Sequence, residues 1–410
     1  MAHRHADILI AGGGGIGLCL AAALADALGP DARIVVVDRE GVPAAPQAED
    51  PRAYAIAAAS QRLIASIGAW DDVAAQAEPV TSIDISDSSL GDAFRPRLLG
   101  YDNRVGDAVA TYIVPEQALR SALLRAVEKR PGVTLAAGAT IAAVVLESGR
   151  AALDLESGDR FVAPLLVAAD GRGSVVRKAA GIKSIDWDYG QTGIVTTVTL
   201  AKPHGGCAVQ HFLPAGPFAI LPLPGNRACI TWSETTARAR EILALDEAGF
   251  RHELETRFSA RLGDINAIGA RASWPLKMHL ARSFVTHRVA LAGDAAHGVH
   301  PLAGQGLNLG LRDVAALVEV IADAARLGLD IGDISTLERY ERWRRTDSVQ
   351  SAFAFDALNR LFSNDSTVLR TIRDAGLGIV DRMPQLKEVL VKEAAGLTGD
   401  VPRLLRGLPV

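Results

Sequence analysis

One glycine-rich turn between two apolar stretches constrains this 410-residue chain more than any other feature. The run Ile8 to Ala25, "ILIAGGGGIGLCLAAALA", carries no charge over 18 residues, the lower limit for a membrane span. Its glycines argue against a span, because four in succession would each cost about 1 kcal/mol inside a helix. Asp7 and Asp26 bracket the run without the basic flank and small-residue cleavage site of a signal peptide. The run therefore reads as a buried strand (Asp7 to Ala11), a turn (Gly12 to Gly17) and a buried helix ending near Leu28. "RIVVVD", Arg33 to Asp38, adds the second strand of a βαβ unit, the opening of a doubly wound sheet.

Within that turn the glycines stand as Gly12-x-Gly14-x-x-Gly17, with Gly15 beside the second. Gly12 allows a tight turn, Gly14 lets a pyrophosphate approach backbone N–H groups at a helix N-terminus, and Gly17 lets helix and strand pack closely. Asp38 ends the next strand 21 residues beyond Gly17 and can accept hydrogen bonds from two ribose hydroxyls. Glycines kept only for packing do not account for strand, helix and acid together. The spacing alone leaves NAD and FAD open.

A 49% hydrophobic fraction is ample for sizeable cores, and the length suits about two to three domains. A net charge of -4 gives no basic surface for nucleic acid. Cys19, Cys207 and Cys229 are an odd, scattered set, which points to a reducing, cytoplasmic setting rather than a disulfide or metal framework.

Further along, Val42 to Asp50 is Pro- and Ala-rich and reads as a loop, and "SQRLIASIGAW" as a helix. A helix is expected over Pro115 to Arg130, then a meander of "TIAAVVLE", "AALDLE", "DRFVAP" and "LLVAAD". From Trp187 to Pro275 the texture is mainly β, with "FAILPLP" and "RACITWSE" joined across Gly225-Asn226 as a hairpin. "RVALAGD" restores a buried strand, and Leu307 begins a long helix with Leu311, Val314, Ala315, Val318 and Ile321 on one face. The expected division is a discontinuous nucleotide domain (1–75, 108–182, 276–365), a β-rich domain (76–107, 183–275) and a C-terminal helical segment (366–410).

Two later segments carry chemistry. "VAADGRGSVVRKAAG" sets Asp170, Gly171, Ser174 and Arg177 after a strand, a turn common in α/β proteins. "RVALAGDAAHGVHPLAGQGLNLGLRD", Arg288 to Asp313, is more telling. Asp294 sits at the carboxyl edge of the sheet, where ligands bind, and can accept from polyol hydroxyls. The Gly304-Gln305-Gly306 loop exposes N–H groups, and the following helix aims its positive end at whatever lies in front, which favours an anion. His297 and His300 supply only two ligands, so no metal is expected and structural hydrogen bonding is their reading. Tyr112, Tyr189 and His211 fall where pocket residues can fall, yet each suits a structural role, and no catalytic base is assigned.

"GGGGIG", "DGRGSVVR" and "AGDAAHGVHPLAGQGLNLGLRD", in this order and at these separations, closely resemble the flavin-dependent aromatic hydroxylases built on the para-hydroxybenzoate hydroxylase fold. Within that group, His300 to Asp313 resembles the signature of the ubiquinone-biosynthesis hydroxylases. The resemblance implies an α/β fold: a Rossmann-like FAD-binding domain with an inserted, mainly β substrate domain and a C-terminal helical segment. It implies FAD, with Gly12, Gly14, Gly15 and Gly17 facing the pyrophosphate, Asp38 and Arg39 at the adenosine ribose, and Arg52 in the phosphate region. Asp170 and Gly171 would lie near the pyrophosphate, and Gly293 and Asp294 at the ribityl or ribose hydroxyls. Pro301 would lie beside the flavin ring, with Gly304, Gln305, Gly306, Leu307 and Asn308 at its pyrimidine edge. One departure is "VPEQAL": relatives often place Arg or Asn at a flavin contact where this chain offers Glu116 or Gln117.

The implied reaction is hydroxylation of the ring of a polyprenylated phenol in ubiquinone biosynthesis. It would run through a flavin C4a-hydroperoxide, with O2 as co-substrate and electrons from NAD(P)H or a ferredoxin-type donor. Alternatives are a hydroxylase of a soluble aromatic and a non-catalytic flavoprotein scaffold of a quinone-synthesis complex; a flavin halogenase lacks its W-x-W-x-I-P run here. Other ubiquinone-biosynthesis proteins are implied as partners. From Ser366 to Val410, seven Lys and Arg stand against five acids, a modest attraction to anionic lipid. Peripheral contact with the inner face of the cytoplasmic membrane competes there with packing on the flavin domain.

Overall fold

Short runs of β-branched and aliphatic residues build a six-stranded sheet in the order Val133–Ala137, Ile34–Asp38, Ile8–Ala11, Leu165–Ala168, Val289–Leu291, Val285–Thr286. Its neighbours are parallel except for the last pair, an antiparallel hairpin. The computed structural model describes residues 3–41, 50–92, 95–258, 262–300, 304–364 and 367–410. The loop expected from Val42 and the flavin-side Pro301 therefore lie, wholly or nearly so, outside the described residues.

The three strands Ile8–Ala11, Leu165–Ala168 and Val289–Leu291 are buried along their whole length. Strands covered on both faces read as continuous apolar runs, not alternating ones. That corrects the reading of "LLVAAD" as the end of a meander. Its three predecessors do form a separate sheet, ordered His3–His5, Arg160–Ala163, Ala151–Leu155, Ile141–Leu146, whereas Leu165–Ala168 crosses into the central one. From Ile8–Ala11 the chain moves outward on one side, then returns to lay Leu165–Ala168 on the other. At such a reversal the loops after adjacent strands diverge and leave a crevice for ligands.

The second large sheet has eight strands: His297–Gly298, Ile265–Ala281, Ser184–Leu200, Arg227–Thr235, Gly216–Leu223, Cys207–Leu213, Ser82–Asp87, Leu99–Asp102. One face packs on the helices Thr236–Leu243 and Glu247–Arg257 through a core that includes Phe218, Trp232, Phe250 and Leu254. The hairpin across Gly225-Asn226 is present, with both residues at positive φ (74° and 61°).

The 29-residue helix Ile334–Phe362, about 44 Å long, ties the two sheets together. Near its start the buried Tyr340 hydroxyl donates to the Leu291 carbonyl (2.7 Å); near its end Asn359 Nδ2 donates to Gln191 Oε1 (3.1 Å). Two further helices, Thr367–Asp381 and Pro384–Ala394, close the chain. Arg373 of the first meets Asp87 at 2.7 Å, with both side chains almost wholly buried, so it is not part of a lipid-facing basic row. Among the described residues no helix is long and apolar enough to cross a membrane.

Candidate functional site

Two helices begin at the crevice. Gly15–Leu28 (14 residues) and Gly306–Arg326 (21 residues) have no side-chain cap and no acid in the first turn. Their first N–H groups are left for a ligand, and their positive ends favour an anion. The two starts are neighbours: a Cβ at Gly15 would stand 3.6 Å from Leu307 Cδ1. Both border a cavity of about 570 Å³, lined at this end by Gly14, Gly15, Gly171, Gly293, Asp294, Gly304, Gln305, Gly306 and Leu307.

The glycines divide into two kinds. A Cβ on Gly12 (φ 105°) would lie 2.3 Å from the Ala169 carbonyl oxygen, and one on Gly17 only 1.8 Å from that of Gly12, so these two serve backbone packing. On Gly14 it would meet nothing within 4 Å. The second loop repeats the pattern: Gly304 (φ 62°) approaches Ala55 to 2.9 Å, whereas a Cβ on Gly306 would meet no described atom within 4 Å. Gly310 brings the long helix onto Ile16 and Gly293 (2.6 and 3.2 Å). Open cradles at Gly14 and Gly306, each at an uncapped helix start, are what a bulky anionic cofactor requires.

Asp38 sits beside this cradle, accepting from Gly13 N and from Glu40 N (2.6 Å), and Arg39 is exposed. Neither lines the cavity. Asp294 lines it and meets Arg172 Nε at 3.2 Å. Asp170 lies behind the lining: one carboxylate oxygen accepts from Val175 N (2.8 Å), and the other is buried without a partner among the described residues. Ser174 caps the short helix Val175–Ala179, and Arg177 straps two loops together by donating to the carbonyls of Ala295 and Arg172 (2.9 and 2.7 Å).

Arg52 reaches the cavity but is held by Asp50, Nη2 to Oδ2 at 2.5 Å, with Glu116 at 4.0 Å. The Asp50 contact raises the Arg52 guanidinium further above its ordinary range. Burial pushes the Glu116 carboxyl up, against the nearby Arg52 charge. At the start of the helix Glu116–Glu128 the lining residues are Glu116, Leu119 and Arg120, not Gln117.

Asn308 is buried with its side chain committed to the strand Ala53–Ala57. It accepts from Ala57 N (3.0 Å) and donates to the Ala55 carbonyl (2.8 Å). Asp313, wholly buried, accepts from Gly293 N (3.0 Å), His297 Nε2 (2.6 Å) and Arg344 Nε (2.9 Å). Burial alone would raise its carboxyl, but His297 and Arg344 outweigh it and hold it below the usual range. This knot locks the Gly293-Asp294 turn to the long helix. Sequence reasoning missed it, although an acid inside an apolar helix stripe is itself a signal that a buried partner must exist.

His297 is thus structural, as expected. His300 differs: both ring nitrogens are buried without a partner among the described residues, and it packs edge-on against Tyr189 at 5.1 Å. Burial lowers it to about 4, with Asp356 opposing the shift and Arg172 adding to it. Neither Tyr112, Tyr189 nor His211 lines the cavity. Tyr112 packs on Trp70, and His211 Nδ1 meets Ser86 Oγ at 2.6 Å.

Beyond the helix starts the cavity continues into an apolar chamber walled by the eight-stranded sheet. Ile83, Ile85, Val195, Phe212, Leu221 and Trp274 line it, with Val391 and Ala394 from the C-terminal helix. A doubly wound sheet with an anion cradle that opens directly onto such a chamber is the arrangement a flavin-dependent monooxygenase requires.

Residues 5–353 match the family described as FAD binding domain. The chain is 43% identical over 413 residues to the ubiquinone hydroxylase UbiL of Rhodospirillum rubrum, covering 100% of this chain and 94% of that protein. It is 34% identical over 405 residues to the 3-demethoxyubiquinol 3-hydroxylase of Escherichia coli, covering 97% and 100%. In fold it is similar to the p-nitrophenol 4-monooxygenase PnpA of Pseudomonas putida, with a TM-score of 0.76 at 21% identity over 98% of this chain and 100% of that one. The chain belongs to the FAD-binding family, in its group of ubiquinone-biosynthesis hydroxylases.

Proposed function

We propose that this chain is an FAD-dependent monooxygenase that hydroxylates the aromatic ring of a polyprenylated phenol in ubiquinone biosynthesis. The observation that carries the reading is the continuity of one cavity from two uncapped helix starts into an apolar chamber. When bound, FAD supplies the redox chemistry between NAD(P)H or a ferredoxin-type donor and O2.

The chain's own residues do the rest. The N–H groups at Gly14 and Gly15 hold the pyrophosphate, and Asp38 with Arg39 holds the adenosine ribose. Arg52 lies along the phosphates, and Gly293 and Asp294 meet the polyol hydroxyls. Gly304 to Asn308 present the second positive helix end to the flavin ring, which stabilises negative charge there. Asp170 and Gly171 border the route from the crevice. The apolar chamber excludes water and orients the substrate ring, and it suits a prenyl tail.

The same reading places the protein in the cytoplasm, touching the inner face of the membrane, together with other ubiquinone-biosynthesis proteins. Exposed Ile379, Val389 and Leu390 on the two C-terminal helices, and Met383 between them, support membrane contact. In a liposome flotation assay the full-length protein should rise with anionic vesicles; a protein that stays wholly in the soluble fraction removes the contact. The function itself is tested in a strain lacking this protein. An under-hydroxylated prenylphenol should accumulate, identified by mass spectrometry, and a normal quinone level would overturn the assignment.

A further inference from the structure

The cavity wall formed by the eight-stranded sheet is apolar along most of its face, and one amide interrupts it. Side chains alternate along a strand, so Cys207–Leu213 turns Cys207, Val209 and Leu213 into the sheet's own core. Ala208, Gln210 and Phe212 face the cavity. The pairing registers set Gln210 in one cross-strand row with Ile85 on one side and Ala219, Thr231 and Val195 on the other. Ala219, immediately beside Gln210, is small and leaves room above it.

Two residues of that row are polar, and their surroundings differ. The Thr231 hydroxyl is within reach of the Cys229 thiol. The Gln210 amide pairs with no described residue, and its Nε2 is enclosed without an acceptor. An enclosed amide nitrogen without an acceptor in an apolar wall is a standing cost to the fold. It is explained if the missing partner arrives with the ligand.

We infer that Gln210 is a positioning residue that hydrogen-bonds the ring hydroxyl of the substrate, with the aromatic ring lying over Ala219. This deepens the proposed function and rests on it. The amide offers an acceptor and two donors, and a half-turn about its last side-chain bond exchanges the two ends. It therefore accepts from a phenol O–H or donates to a ring oxygen, and it has no proton to give up, so it orients the ring without acting as a base. The prenyl tail is left to the apolar remainder of the chamber, Ile83, Ile85, Phe212 and Leu221.

The test compares FAD-loaded wild type with Gln210→Met and Gln210→Asn, using two probes: a phenol bearing a short prenyl chain, and the same chain on unsubstituted benzene. Binding is read from tryptophan fluorescence, since Trp274 stands in the cavity wall, so the readout does not depend on turnover. Wild type should favour the phenol by about tenfold, the worth of one hydrogen bond. Gln210→Met should shrink that preference to within about twofold while binding the benzene probe at least as tightly, and Gln210→Asn should fall between. A Gln210→Met protein that keeps the full preference, or a wild type that shows none, overturns the assignment. Should Gln210→Met fail to hold FAD, Gln210→Asn carries the test alone, and a preference equal to wild type overturns it. Hydroxylation of the prenylphenol by wild type is scored separately: if that occurs while the preference test fails, the function stands and only the role of Gln210 is lost.

Discussion

Asp313→Asn is the substitution that most directly probes how the site is held. The carboxylate is wholly buried and receives three donors: Gly293 N at 3.0 Å, His297 Nε2 at 2.6 Å and Arg344 Nε at 2.9 Å. An amide of the same shape can still accept from one or two of them, but its NH2 group must point at a remaining donor. Breaking a buried ion pair costs about 3–5 kcal/mol. Arg344 keeps Asp347 at 2.5 Å, so the loss falls toward the lower end, about 3 kcal/mol. If the loosened part is the Gly293-Asp294 turn on the cavity, this corresponds to roughly a hundredfold weaker FAD binding. Calorimetric titration of FAD into the apoprotein and urea unfolding followed by fluorescence measure the two quantities. The pair Asp313→Leu with Arg344→Leu should recover most of the stability by removing both charges, but not the FAD affinity, because Gly293 N and His297 still lack their acceptor. The reasoning is refuted by an Asp313→Asn protein that binds FAD as wild type does, or by a double variant that regains full affinity.

Four other outcomes follow from the contacts around the site. Because the Asp313 carboxyl is held below its usual range, its contribution is present above the unfolded value near pH 4 and is lost as pH falls through the folded one; acid unfolding should therefore be steeper in wild type than in Asp313→Asn. Gly14→Val and Gly306→Val should keep wild-type circular dichroism and bind no FAD, since a Cβ there meets no described atom within 4 Å. Gly17→Ala, with its Cβ 1.8 Å from a backbone oxygen, should fail to fold, and a soluble, flavin-loaded Gly17→Ala protein would contradict the packing role. Asn308→Leu strands a backbone N–H and a carbonyl on Ala53–Ala57 and should cost about 2–4 kcal/mol, read as a lower denaturation midpoint.

What could be read in advance follows a physical division. Periodicity and glycine spacing report on local backbone, so the opening βαβ unit, the hairpin at Gly225-Asn226 and the long helix after Gly304 were all legible. Pairings between distant segments were not. "LLVAAD" looks like one more strand of a meander because a fully buried strand lacks alternation, and nothing local says which sheet covers its faces. Arg344 stands in "ERWRRTD" with two other arginines, and no spacing rule distinguishes the one that turns inward to Asp313 31 residues away. The glycines show the limit most clearly. A motif says that a side chain is missing but not what takes its place. Gly12 and Gly17 yield to backbone oxygens, Gly304 and Gly310 chiefly to side chains, whereas a Cβ on Gly14 or Gly306 meets no described atom within 4 Å. These two stand at the starts of the α-helices that, among the described residues, border the cavity with neither a side-chain cap nor an acid in the first turn; the helix Glu116–Glu128 also starts there uncapped but carries Glu116. Absence of a side chain and an unsatisfied positive helix end coincide at both, and it is this coincidence, not the glycine count, that argues for a large anionic cofactor spanning from one helix start to the other.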